Sequence, residues 1–460
     1  MASATGHETI HTEDIYHGLP DLSNAPTGLT AVVTGANGIS GAHMLRVLCQ
    51  NPSRWKKIFA ISRRPPSETW PDHVELIPLD LLSSPEDIAV RLADRGVKPD
   101  YIFWFAYILV TDQSGALQWS DRRLIDQNSK DSLSPLGNFP VQAFATRELT
   151  DKHAIPALVL HNFLEALPRA KALPKRIFIQ YGQKWYGVHL GMTAVPDTED
   201  TPRLAPEVGG LYYSQHDTLT AFCAKNNVHW NAGLPSFVVG ASLDSNQSLL
   251  YPILMYAAVQ KYKGRRLEYP GGAQAWFAPL SLSNAVLDAR MYEWMVLSPE
   301  AADQMFNVSD ACAFTWGKFW PRLAEWFGME YTGPQFDRDA VYTEKNMPVD
   351  RAPNGISGES KMRFRFSFVD WANDVQNLRA WEELAIEHEL RDRQWRDVGS
   401  IFGRADFALL RPYASNMSTS KARKYGWHGF VDSTDSLLSV AEEFVRLRII
   451  PAPAELGPKL

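Results

Sequence analysis

Between Leu29 and Leu48 the chain passes from an apolar, β-branched stretch, Leu29-Thr30-Ala31-Val32-Val33, through Thr34-Gly35-Ala36-Asn37-Gly38-Ile39-Ser40-Gly41, into a helical pattern with Ala42, Leu45 and Leu48 on one side. Glycines at 35, 38 and 41 make a G-x-x-G-x-x-G turn between strand and helix. That spacing has a mechanical reason. The first glycine permits the tight turn, the second lets backbone N–H groups approach a pyrophosphate, and the third lets helix and strand pack closely. The helix start then presents partial positive charge to phosphates. A glycine triplet by itself is also compatible with a purely structural turn; flanked by strand and helix it predicts dinucleotide binding.

The next elements extend this into a sheet. Lys57 to Ser62 reads as a second strand and ends at Arg63-Arg64-Pro65, where a doubly wound fold meets the adenosine ribose. An acid there would bond a ribose 2′-hydroxyl, whereas a guanidinium fork matches a 2′-phosphate, so NADPH is expected over NADH. Val74 to Leu81 reads as a third strand with Asp80 and Leu81 beside the adenine, and Pro85-Glu86-Asp87 opens a helix. Tyr101 to Tyr107 is a continuous apolar run suited to a central parallel strand. A helix from about Pro156 to Leu167 and a strand Arg176–Gln180 follow a polar stretch at about 108–150, too long for an ordinary connection. The expected fold class is α/β, a Rossmann-type doubly wound parallel sheet.

At 460 residues the chain has room for more than one domain. Three units are expected: an N-terminal arm over 1–28, an NADP(H)-binding Rossmann domain over 29–245, and a mainly helical substrate-capping region over 246–460 that partly returns to the sheet. A net charge of −6 argues against a nucleic-acid surface. Cys49, Cys223 and Cys312 lie far apart and in no zinc-type spacing. His7 and His11 lack a helical pattern and a third ligand, so no metal is expected. The apolar run Leu249–Val259 is too short to span a bilayer, no secretory leader is evident, and a cytoplasmic location is the expectation.

After the strand ending at Gln180 stands Tyr181-Gly182-Gln183-Lys184-Trp185-Tyr186-Gly187, and farther on Leu211-Tyr212-Tyr213-Ser214-Gln215-His216-Asp217. The common Y-x-x-x-K signature of short-chain dehydrogenases is absent here, since His216 and Asp217 occupy the positions four after the two tyrosines. A G-x-K-x-Y element followed by Y-Y-x-x-x-D resembles the progesterone 5-beta-reductase and iridoid synthase family of extended short-chain dehydrogenase/reductases. Further text agrees: Ala60 to Pro65, Leu234 to Gly240, Phe306-Asn307-Val308-Ser309-Asp310 with Trp316, Phe319 and Trp320, and Ser418 to Lys421 with Gly426 to Phe430. The resemblance covers about 29 to 451, without 108–150. Departures from the family's text are Tyr181 for threonine, Trp185 for histidine, Leu234 for arginine, and Ala106-Tyr107 for threonine and tryptophan.

The resemblance implies Tyr212 as catalytic tyrosine, with Tyr213 as the register alternative, and Lys184 as catalytic lysine. The implied cofactor set is Gly35, Asn37, Gly38, Ile39, Gly41, Ser62, Arg63, Arg64, Asp80, Leu81, Phe105, Pro235 and Val238. Tyr107, Tyr213 and Trp276 are expected at the substrate pocket. The expected reaction is NADPH-dependent reduction of an activated C=C bond in an enone or enal, on a small apolar carbonyl compound. A phenol donor would stabilise the enolate oxygen as hydride arrives, and a nearby ammonium would lower the phenol pKa. The alternatives are a ketone or aldehyde reductase, and a non-redox cyclase, isomerase or NADP(H) sensor. A homodimer is compatible with the resemblance.

Overall fold

The computed structural model describes residues 10–107, 154–204, 206–245, 248–335, 341–347, 353, 360–395 and 397–457. The long connection expected at 108–150 lies outside them. A short hairpin, β1 (Ile10–Glu13) and β2 (Tyr16–Pro20), precedes the sheet. The sheet strands are β3 (Leu29–Thr34), β4 (Trp55–Ser62), β5 (Val74–Pro78), β6 (Tyr101–Trp104), β7 (Arg176–Gln180), β8 (His229–Pro235) and, after β9 (Phe237–Val239), β10 (Leu267–Glu268) and β11 (Leu282–Asn284), β12 (Gln304–Val308). Their order is β12-β8-β7-β6-β3-β4-β5, parallel throughout. Three small pairings complete the set: β9 with β11, β10 with β13 (Tyr331–Thr332), and β14 (Thr343–Met347) with β15 (Ser360–Phe364).

Alternation along the strands explains why the sheet is covered on both faces. Val32, Ile61, Ile102, Trp104, Ile177 and Ile179 pack with α2 (Pro85–Asp94) and the helices Ala154–Arg169 and Pro206–Asn226. Their strand neighbours Ala31, Val33, Ala60, Phe103 and Phe178 pack with α1 (Ile39–Cys49) and the helix Ala285–Leu297. Each buried side chain of this size is worth about 1.5–3 kcal/mol, so the double coverage dominates the sheet's stability. A third core joins the helices of the second half around Tyr256, Tyr269, Trp316, Trp320 and Trp381.

Several expected boundaries move for local reasons. The run from Tyr101 leaves the ladder at Trp104, because the N–H groups of Phe105 and Ala106 donate to Thr34 Oγ1 at 3.2 and 3.3 Å. The strand from Val74 stops at Pro78, and Asp80 turns the chain by accepting from Leu82 N and Ser83 N. Trp276, expected at the substrate pocket, belongs to a short helix, Ala273–Phe277. The N-terminal arm needs correction over 10–20. Leu19 is buried in the core, His17 and Phe430 exchange backbone hydrogen bonds at 2.9 Å, and Tyr16 donates to Asn284 Oδ1. Gly18, at φ +64°, approaches His428 O so closely that a Cβ would stand 2.3 Å from it.

Candidate active site

The carboxyl ends of β3, β4, β6, β7 and β8 meet at one edge of the sheet, and the sequence-derived residues gather there. Gly35 turns at φ +64° against Phe105, where a Cβ would lie 2.7 Å from the backbone carbonyl. Gly41 backs onto the same turn, with its would-be Cβ 2.2 Å from Gly35 O. Gly38 caps α1 at Ile39 without a side-chain acceptor, and the first turn of α1 carries no acid. Neither the cap nor the first turn supplies an acid to its first N–H groups, which suits a phosphate. Asn37 donates through Nδ2 to Arg64 O at 2.9 Å, and Ser62 Oγ donates to the same carbonyl at 2.6 Å. This ties the glycine turn to the Arg63-Arg64 turn and leaves both arginine side chains exposed. Asn37 Oδ1 is buried with no hydrogen-bond partner among the described residues, an acceptor that a dinucleotide hydroxyl would suit. The residues present fit a dinucleotide.

The other cofactor positions line the same edge. Asp80 is exposed at the end of β5, Leu81 is buried beneath it, and Phe105 is half-buried between Phe178 and Tyr292. Pro235 closes β8, and Val238 lies in β9 opposite Ser283.

After β7 the chain makes a tight 3-10 turn, Gln183–Tyr186, that holds Lys184 exposed and buries Gln183, Trp185 and Tyr186. Tyr212, from the helix Pro206–Asn226, comes down on this turn. A Cβ on Gly182 would sit 3.3 Å from Tyr212 Oη and 3.6 Å from Pro235 O, so glycine leaves room for the hydroxyl between β7 and β8. Burial, and secondarily the Tyr107 phenol, push the Tyr212 phenol well above its ordinary value. The lowering expected from a neighbouring ammonium is therefore not what the structure has. Desolvation sets the shift, and Tyr212 is held neutral as a hydrogen-bond donor.

The two tyrosines diverge. Tyr213 Oη donates to Trp185 O at 2.7 Å and accepts from Leu204 N at 3.0 Å, so its hydroxyl braces the loop behind the site. Tyr107 stands half exposed at the sheet's edge. Trp276 is buried in the helical core against Tyr269, with ring centroids 4.8 Å apart, and does not join the others. The departures Tyr181 and Trp185 stack on one another at 5.5 Å, and Tyr181 lies 5.4 Å from the Tyr212 ring, forming the wall behind it.

One residue missed by the sequence reading holds the turn in place. Gln183 donates through Nε2 to Asp197 Oδ2 at 2.8 Å, while its Oε1 accepts from Ser236 Oγ and Ser415 Oγ, both at 3.0 Å. Its only signal was a position beside Lys184. The quoted motifs near the C-terminus are structural: Lys421 donates to Met305 O at 2.9 Å over the Phe306 ring, and Trp427 packs on Trp294.

Comparison with known proteins bears on the family and the fold. Residues 164–349 match the PRISE-like Rossmann-fold domain. The chain is 24% identical over 426 residues to the short chain dehydrogenase gsfE of Penicillium aethiopicum, covering 92% of this chain and 99% of that one. It is 26% identical over 432 residues to a 3-oxo-Delta(4,5)-steroid 5-beta-reductase of Arabidopsis thaliana, covering 92% and 93%. It is 25% identical over 433 residues to an (S)-8-oxocitronellyl enol synthase of Catharanthus roseus, covering 92% of each. Among solved structures, the Bordetella bronchiseptica enzyme WbmG in complex with NAD shares the fold, with a TM-score of 0.52 at 12% identity over 92% of this chain and 96% of that one. No helix among the described residues is long and apolar enough to cross a membrane.

Proposed function

Since the chain carries a PRISE-like Rossmann-fold domain and is related to reductases along nine-tenths of its length, we propose that it is an NADPH-dependent oxidoreductase that reduces an activated C=C bond beside a carbonyl. The observation that carries this reading is the neutral Tyr212 phenol, set between Gly182 and Pro235 at the edge of the sheet where the glycine turn opens. A reduced nicotinamide, when bound, supplies a hydride. Tyr212 Oη donates a hydrogen bond to the substrate's carbonyl oxygen, and that bond strengthens as hydride addition at the β-carbon turns the oxygen into an enolate. Lys184, exposed at the mouth of the same turn, adds positive potential to the developing charge. The start of α1 and Asn37 would hold the dinucleotide, and Arg63 and Arg64 would attract its 2′-phosphate. Tyr181 and Trp185 keep one side of the donor dry.

The test is hydride tracing with C4-deuterated NADPH and a small cyclic enone. Deuterium at the β-carbon of a saturated ketone is the expected result. Deuterium on the carbonyl carbon would transfer the reading to carbonyl reduction with Tyr212 as proton donor. Retention of all label in the cofactor across a panel of enones and ketones would overturn it.

A further inference from the structure

Arg411 ends an apolar run, Ala408-Leu409-Leu410, just beyond the helix Val398–Leu409, and is only 3% exposed. Its guanidinium carbon stands 5.5 Å from the Phe237 ring centroid, 5.1 Å from Phe407 and 5.3 Å from Tyr413. Both terminal nitrogens, Nη1 and Nη2, are buried and lack a hydrogen-bond partner among the described residues. Aromatic faces attract the cation but accept no in-plane N–H bonds, so the fork of the guanidinium is left unmet. Burial lowers the group to about 10, opposed by Tyr413 and Asp197, so it stays charged at neutral pH. Asp197 acts on it electrostatically, yet that carboxyl accepts from Gln183 Nε2 and is itself pushed up by burial.

The segment carrying this cation is anchored to the catalytic turn. Ser415 bonds Gln183, which follows Gly182 beneath Tyr212, and Phe237 lies two residues beyond Pro235 at the same edge. A buried single positive charge calls for a single negative one, and its planar pair of donors matches a planar pair of acceptors. Water would satisfy the donors and leave the charge. A phosphate dianion would call for a second cation beside it, whereas a carboxylate matches the single charge of Arg411.

We propose that Arg411 binds a carboxylate borne by the substrate, so that the compound reduced is an unsaturated carbonyl compound with an acidic tail on an otherwise apolar body. This rests on the reductase reading of the Tyr212 site and narrows its substrate class.

The test uses matched probes: cyclohexenones bearing a carboxylate on alkyl arms of increasing length, and their methyl esters. Binding is read as thermal protection of the full chain with NADP⁺, and turnover as NADPH consumed. At the fitting arm length the acid should bind on the order of tenfold to a hundredfold more tightly than its ester, the strength of a charge-assisted pair. Arg411→Met should abolish that advantage and Arg411→Lys should restore part of it. Equal binding of acid and ester at every length, or an advantage that survives Arg411→Met, overturns the proposal and leaves the fork to ordered water. If a variant does not fold, the wild-type acid-to-ester ratio decides alone. The two readings fail separately: Arg411-dependent binding without hydride transfer would remove the reductase, and indifferent reduction of both probes would remove the carboxylate site.

Discussion

Tyr212 and Tyr213 are adjacent and chemically identical, yet they do different work because one hydroxyl faces the turn after β7 and the other is spent on Trp185 O and Leu204 N. Removal of the first should show in kcat: Tyr212→Phe is expected to lose about a hundredfold, ~3 kcal/mol of barrier, with NADPH affinity kept, as read by steady-state kinetics and cofactor titration. Removal of the second should show in thermal stability instead. A second prediction concerns His216, which lies edge-on to Trp185 and Trp230 with Tyr181 Oη 3.4 Å from its Nδ1. Burial first, and Arg203 second, lower it to about 4. In the unfolded chain an imidazole titrates near 6.5, so between these values the unfolded state binds the proton that the folded one refuses. Stability is therefore full above about pH 6.5 and falls as pH drops toward 4, by up to about 3 kcal/mol. His216→Phe should flatten that loss in melting temperatures measured across the acid range. The role proposed for Tyr212 could be read from sequence only through a family resemblance. What separates it from Tyr213 is which neighbour each hydroxyl meets, and residues such as Pro235 and Leu204 are brought there by the fold.

The first strand, turn and helix were legible because the period changes from two to about 3.6 across three glycines, and the chain has few other ways to satisfy that pattern. Gly41→Ala, which forces a methyl group against Gly35 O, is expected to cost about 2–3 kcal/mol and to abolish dinucleotide binding, checked by melting temperature and by NADPH fluorescence. The Arg63-Arg64 turn makes a separate prediction. Replacing both with glutamate should reverse the proposed preference for NADPH over NADH, because two cations that would attract a 2′-phosphate become two anions that would repel it. Specificity ratios for the two cofactors would measure it, and an unchanged preference would remove the assignment. Strand ends were less legible: Thr34 Oγ1 draws off the N–H groups of Phe105 and Ala106, a side-chain effect that periodicity does not record. Trp276 was misplaced for the opposite reason, since an aromatic pair before a helix reads alike whether it faces a pocket or, as here, a core.

Across the whole molecule, remote segments of the chain complete one another. The hairpin at residues 10–20 reads as a polar arm because its partner, Phe430, lies 413 positions from His17, beyond any local pattern. Leu19→Ala should cost about 2–4 kcal/mol and lower the melting temperature despite its distance from the site. Gln183 extends the same principle to the chemistry: one amide side chain is clasped by residues 14, 53 and 232 positions away. Meanwhile β12, at the sheet's edge, arrives only after the helical half has begun. The order of synthesis follows from this. A growing chain that has emerged through residue 300 has the glycine turn, the tyrosine and six of the seven strands, yet it lacks the edge strand and one of the two serines that hold Gln183. A chain cut short before Ser415 is therefore expected to hold Gln183 less firmly, although most of the residues placed at the site lie in its first half.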